Sequence, residues 1–188
     1  MRENRQGPIT SYDPELEEGT DVDIEVVSKY CKSKLSWDGY FMGIADAVAL
    51  RSSCCRRQVA AIIVKDNRII STGYNGTPRG AKNCDEGGCP RCNAPKSVIA
   101  SGAALEDCLC SHGEENAIVQ AAYHGVAIEG STLYTTMSPC LMCAKMIVNS
   151  GIVEIVFSQT YNRNDVALRL LLDCKIKLRR HPDGFIWK

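Results

Sequence analysis

Two short segments carry side chains whose types and spacing could do chemistry together. His112-Gly113-Glu114 opens one predicted helix, and Pro139-Cys140-Leu141-Met142-Cys143 opens another. One imidazole and two thiolates give a metal three protein ligands. Zinc bound by three such ligands keeps its fourth position for water, the arrangement of a catalytic site rather than a closed structural one. Water at that position becomes acidic near pH ~7. Glu114, two residues past His112, can reach that water without binding the metal and move its proton to a substrate. Alone, H-x-E is a common pattern, and C-x-x-C could be a redox pair or half of a structural zinc site. The two together, each at a helix start, define a hydrolytic metal centre. The positive end of each helix dipole also favours thiolate over thiol. Neither His124 nor His181 has a comparable setting.

These segments need a scaffold. Apolar residues Phe41, Ile44, Ala45, Val48 and Ala49 recur at helical spacing from about Asp38. Val59 to Val64 reads as a strand and Arg68 to Thr72 as its hairpin partner, with Lys65-Asp66-Asn67 as the turn. Gly73 to Pro78 is a loop by composition, and residues 79 to 110 read as irregular, rich in cysteine and glycine. Then follow a helix from Glu114 to about Tyr123, a strand from Leu133 to Thr136 and a helix over 140 to 149. Ile152 to Phe157 is a strand, Val166 to Leu172 a helix, and Ile176 to Arg179 a last strand. Alternating strands and helices imply an α/β layered domain, and the opening hairpin makes the sheet mixed. Residues 1 to about 35 form an acidic extension, expected to be solvated.

Composition narrows the function. The chain has 188 residues, the size of one domain, and 22 basic residues balance 22 acidic ones. That is not the basic footprint of a nucleic-acid binder. No apolar run is long enough to span a membrane, and residues 1 to 10 lack the apolar centre of a signal peptide, so the expected location is cytoplasmic. The 11 cysteines are odd in number and partly in C-x-x-C pairs. In a reducing compartment that favours metal binding over disulfides.

Four segments together resemble the deoxycytidylate (dCMP) deaminases of the cytidine deaminase superfamily, over about Trp37 to Arg179. They are Arg51-Ser52-Ser53-Cys54-Cys55-Arg56-Arg57-Gln58-Val59, Gly73-Tyr74-Asn75-Gly76-Thr77-Pro78, His112-Gly113-Glu114-Glu115-Asn116-Ala117-Ile118 and Ser138-Pro139-Cys140-Leu141-Met142-Cys143-Ala144-Lys145. The zinc signature within them is that of nucleobase deaminases. The cysteine-rich stretch from Cys84 to Cys110 looks like the fungal and bacterial branch. The resemblance implies a three-layer α/β/α fold with a mixed five-stranded sheet, a homohexamer, and hydrolysis of dCMP to dUMP. It also implies activation by dCTP and inhibition by dTTP, with no nucleic-acid or membrane partner. In this pattern Ala usually stands where this chain has Gly113, and Gly where it has Ala60. Competing readings are a deaminase that also takes dCTP, one acting on a base in RNA, and a non-catalytic zinc module that binds nucleotides. A strand-binding enzyme would need a basic, aromatic surface, and a purely structural zinc would not need Glu114.

Substrate contacts are expected from several places. By resemblance Asn75 hydrogen-bonds the sugar; the plain alternative is that Asn75-Gly76 makes a turn. Asn116 faces the nucleotide or caps backbone. Arg56, Tyr161 and Arg163 are candidates for the phosphate, which needs cations and donors. Tyr74 and Gly76 are candidates for an allosteric nucleotide.

The loop at 84 to 110 has too few large apolar residues to offset its own ordering, and a second, structural zinc would fix it. Spacing pairs Cys89-x-x-Cys92 with Cys108-x-Cys110. The resemblance implies instead Cys54, Cys84, Cys89 and Cys108, with Cys92 and Cys110 in reserve. Cys31 and Cys174 read as small buried hydrophobes.

Overall fold

Alternation of side chains along the central strands determines the layers. In β1 (Ala60–Lys65), Ala61 and Ile63 point to one face, and Ile62 and Val64 to the other. The same alternation places Leu133 opposite Tyr134 in β3 (Thr132–Met137) and Ile155 opposite Val156 in β4 (Glu154–Gln159). These strands are apolar on both sides because both faces of the sheet are covered.

The computed structural model describes residues 34–100, 102–161 and 165–181. The described residues from Leu35 onward form one unit. The expectations for the acidic extension, Cys31 and Arg163 lie outside the described residues.

The sheet has five strands in the order β2-β1-β3-β4-β5. β1 is antiparallel to β2 (Arg68–Tyr74) and to β3, whereas β3, β4 and β5 (Lys177–Arg180) are parallel. The hairpin turn has both Asp66 (φ 50°) and Asn67 (φ 57°) in the left-handed region, the conformation whose twist matches paired strands.

Helix α1 (Trp37–Ala49) covers one face of the sheet, burying Phe41, Met42 and Ala45 against Ile62, Tyr134 and Val156. Ser36 caps it, accepting from the Gly39 amide at 3.1 Å. Asp38 fastens its first turn to the sheet, accepting from the Tyr134 hydroxyl at 2.9 Å and from the Arg179 guanidinium. The other face carries α3 (Gly113–Tyr123), α4 (Leu141–Asn149) and α5 (Asp165–Asp173). Leu133, Ile147, Ile155 and Leu171 are fully buried between them, each stabilising by about 1.5–3 kcal/mol. This is the expected three-layer α/β/α arrangement with a mixed sheet.

Two local expectations change. β4 begins at Glu154 rather than Ile152, because Gly151 still turns at φ 77°. The stretch 79–110 is not wholly irregular: it holds a 3₁₀ turn at Cys84–Glu86 and a one-turn helix α2 (Pro90–Asn93). Elements this short leave no hydrophobic period to read.

Candidate active site

The centre forms where α3 and α4 both start. α4 leaves the C-terminal end of β3 through Ser138-Pro139-Cys140, the usual place for a site in an open α/β sheet. α3 is drawn against β1 and β2 by two glycines. A Cβ on Gly73 would stand 2.2 Å from the Ala117 nitrogen, and one on Gly113 2.9 Å from the Ala60 Cα. The Ser71 hydroxyl donates to the Ala117 carbonyl at 2.6 Å and holds the same approach. At the entry of α3, the Glu115 carboxylate accepts from the His112 amide at 3.1 Å, half of a capping box.

His112 and Cys140 precede the first residues of their helices, and Cys143 lies in the first turn of α4. His112 Nδ1 is 3.3 Å from Cys140 Sγ and 3.4 Å from Cys143 Sγ. The ligand atoms of these three residues all lie within 4.8 Å of one another. A tetrahedral zinc with ordinary Zn–N and Zn–S bonds separates its nitrogen and sulfur by about 3.5 Å, so the donor set fits that ion. Protonation is shared among the three. Hydrogen bonding from Cys143 and the His112 imidazole hold Cys140 down to about 4, against the cost of its burial. Pairing with Cys140, together with burial, pushes the Cys143 thiol up. The Cys140 sulfur raises His112 to about 9. A divalent cation replaces such shared protons when it binds.

Glu114 sits beside this group, only 4% exposed, with Oε2 3.7 Å from Cys143 Sγ. Burial pushes its carboxyl up to about 7, where it can both take and give a proton near neutral pH. His112, Glu114 and Cys140 line a cavity of about 550 Å³ whose walls also include Arg57, Asn75, Ser138 and Tyr161.

The remaining expected contacts separate. Tyr161 lines the cavity, its amide donating to Ser138 Oγ at 2.7 Å. Asn75 also lines it but is 8% exposed and braces the protein: Oδ1 accepts from Ser52 Oγ and the Val59 amide, and Nδ2 donates to the Arg57 carbonyl. Asn116 is not a wall of the cavity; it caps backbone, donating to the Tyr74 carbonyl at 2.8 Å. Tyr74 and Gly76 also lie off the cavity wall, Gly76 exchanging both backbone hydrogen bonds with Ser111. Arg56 also lines the cavity, but it is held by backbone. Its guanidinium donates to the carbonyls of Cys92, Ile99, Arg91 and Ala94, so it ties down a loop. Carbonyls at the end of a one-turn helix and in the loop after it need a donor from elsewhere. The neighbouring Arg57, which the sequence reading passed over, is the exposed cation on the wall. Ser138, Gln159 and Thr160 were also missed; their place at the C-terminal ends of β3 and β4 was the available signal.

The expected ligand set for a second zinc is not brought together as one group. Cys54 and Cys84 join Cys92 and Cys110, while Cys89 and Cys108 join the same Cys92 and Cys110. The set read from spacing, Cys89, Cys92, Cys108 and Cys110, is brought together as one group, with helix α2 presenting Cys92 inward. Cys174 is exposed rather than buried.

Residues 35–159 match the family model described as the cytidine and deoxycytidylate deaminase zinc-binding region. The deoxycytidylate deaminase of Schizosaccharomyces pombe is 46% identical over 154 residues, 81% of this chain and 47% of that protein. The chain thus spans about half the length of that curated relative. The deoxycytidylate deaminase of Mycobacterium phage D29 is 41% identical over 127 residues, 66% of this chain and 96% of the phage protein. Among solved structures, dCMP deaminase from the cyanophage S-TIM5 in complex with dCMP and dUMP superposes with a TM-score of 0.65 at 28% identity. That match covers 80% of this chain and 100% of the other.

Proposed function

The chain belongs to the cytidine and deoxycytidylate deaminase family, and from that premise we propose that it hydrolyses dCMP to dUMP and ammonia at a zinc centre. One observation carries the reading: a donor set of His112, Cys140 and Cys143 meets a buried carboxylate, Glu114, on the wall of one cavity. The cavity volume, about 550 Å³, suits a single nucleotide. The relatives named above supply the substrate.

In this reading His112, Cys140 and Cys143 hold the metal. A zinc ion there supplies a Lewis acid that makes water acidic near pH ~7. Glu114 takes the proton of the attacking water and delivers it to ring N3 of the cytosine. It then carries the second proton to the exocyclic amino group, which departs as ammonia. Its burial suits it to both tasks, because a carboxyl near 7 exchanges protons in either direction at neutral pH. Asn75 holds the cavity wall in shape through Ser52, Arg57 and Val59. Arg57 and Tyr161 are the groups on that wall suited to a phosphate.

The same reading includes a structural zinc in the cysteine-rich stretch, activation by dCTP and inhibition by dTTP near Tyr74 and Gly76, a homohexamer, and a cytoplasmic location. None of the helices among the described residues is long and apolar enough to cross a membrane. The test is ammonia release from dCMP, dCTP, deoxycytidine and cytidine, with dCTP and dTTP added in turn as effectors. A clear preference for dCMP supports the proposal. A preference for either nucleoside rejects it.

A further inference from the structure

Six cysteines from three stretches of chain form a core of their own. Cys54, Cys84, Cys89, Cys92, Cys108 and Cys110 cluster together, with no aliphatic or aromatic side chain among the cluster's described members. Their sulfurs are 3.9 Å apart for Cys54 and Cys92, 3.9 Å for Cys89 and Cys108, and 3.6 Å for Cys92 and Cys108. Disulfide sulfurs lie about 2.05 Å apart. Thiolates on one tetrahedral zinc, with Zn–S bonds of about 2.3 Å, lie about 3.8 Å apart. The separations are therefore those of tetrahedron edges, not of disulfide bonds.

The cluster resolves into two four-sulfur groups: Cys54, Cys84, Cys92 and Cys110, and Cys89, Cys92, Cys108 and Cys110. Within each group all sulfurs lie within 4.8 Å of one another. Cys92 and Cys110 belong to both groups. Two tetrahedra that share an edge have this membership. We propose that the six cysteines hold two zinc ions as one cluster, with the Cys92 and Cys110 thiolates each shared between both ions. The inference rests on the reading of a structural zinc in this stretch and deepens it.

The chemistry of the surroundings agrees. One ion would use four sulfurs and leave two packed against a site of net negative charge. Two ions use all six, and the net charge, four positive against six negative, is no larger than for a single tetrathiolate ion. The cation nearest a shared sulfur is buried with it: Arg91 is 6% exposed, with Nη1 4.0 Å from Cys92 Sγ. The rest of that guanidinium donates to the Ala103 carbonyl at 2.7 and 3.1 Å. Cys110 stands two residues before His112, so the cluster also anchors the entry to α3. Cys54, Cys92, Cys108 and Cys110 form part of the cavity wall.

The test counts zinc on the whole chain, purified under reducing conditions, by native mass spectrometry, and looks for metal–metal scattering in its zinc X-ray absorption spectrum. Three zinc ions per chain with a metal–metal vector are expected, one at the His112 centre and two in the cluster. Two ions without such a vector leave the single structural zinc standing and overturn the cluster. One ion overturns both. Iron in the cysteine stretch also overturns the proposal. As a second measurement, Cys89→Ser should lose one ion and the metal–metal vector, whereas Cys174→Ser should lose neither. An unchanged count and vector in Cys89→Ser contradicts the cluster.

Discussion

The start of α3 rests on the backbone at the start of β1: a Cβ on Gly113 would stand 2.9 Å from the Ala60 Cα and 3.1 Å from the Val59 carbonyl oxygen. The residue between His112 and Glu114 therefore has no room for a side chain unless β1 gives way. These are the two positions at which the resemblance leads one to expect Ala and Gly instead of Gly113 and Ala60. The two departures, unrelated along the sequence, meet in space.

Gly113→Ala should destabilise the protein by about 1–3 kcal/mol, the usual cost of forcing an extra methyl group into a packed site. It should also lower turnover, because the shift moves Glu114. The atoms met are backbone, so Ala60→Gly removes none of them, and any rescue on adding it should come from the freer glycine backbone letting β1 shift. A double-mutant cycle on melting temperature and kcat reads the coupling. Purely additive losses would show that the two positions do not compensate.

Arg56 and Arg57 should behave differently despite their adjacency. Arg56→Ala removes the donor to four loop carbonyls and should speed hydrogen exchange at residues 91–99 by tenfold or more, equivalent to about 1.4 kcal/mol of local stability. Arg57→Ala should leave that exchange unchanged and raise KM for dCMP more than for deoxycytidine, which lacks the phosphate. Equal effects on the two substrates would remove Arg57 from the phosphate site.

Acid should loosen α1 from the sheet. The Arg179 guanidinium, with help from Tyr134, holds the Asp38 carboxyl below its ordinary value despite partial burial. A folded-state value lower than the unfolded one stabilises the protein above the unfolded pKa of about 3.9, and that stability is lost as pH falls through the folded value. Asp38→Asn should therefore melt below the wild type at pH 7. The gap should close as pH falls below the unfolded value and through the lower folded one. A gap that stays constant with pH would assign the loss to packing instead.

The fold was largely legible because its signals are local and periodic. β1 is a short apolar run rich in β-branched residues, the helices carry apolar faces, and Lys65-Asp66-Asn67 is turn chemistry, so the order of elements follows directly. His112, Glu114, Cys140 and Cys143 were legible for a different reason: each sits at a helix start, and short-range spacing fixes its direction. What could not be read depends on partners distant in sequence. Arg56 and Arg57 look equivalent until the carbonyls of residues 91 to 99 come to meet one of them. Asn75 became a brace because Ser52, Arg57 and Val59 surround it. Among the cysteines, spacing anticipated the group of Cys89, Cys92, Cys108 and Cys110, whereas the group that joins Cys54 and Cys84 to Cys92 and Cys110 unites distant stretches that no spacing relates. The closeness of Gly113 to Ala60 needs both elements in place.

The most direct test of the central claim is the zinc content and dCMP turnover of Glu114→Gln. The glutamine keeps size and polarity but can neither accept nor deliver a proton. General acid–base catalysis is worth about 10²–10⁴-fold, so turnover should fall at least about a hundredfold while the zinc held by His112, Cys140 and Cys143 remains at the wild-type level. Near-normal turnover with zinc retained would contradict the account.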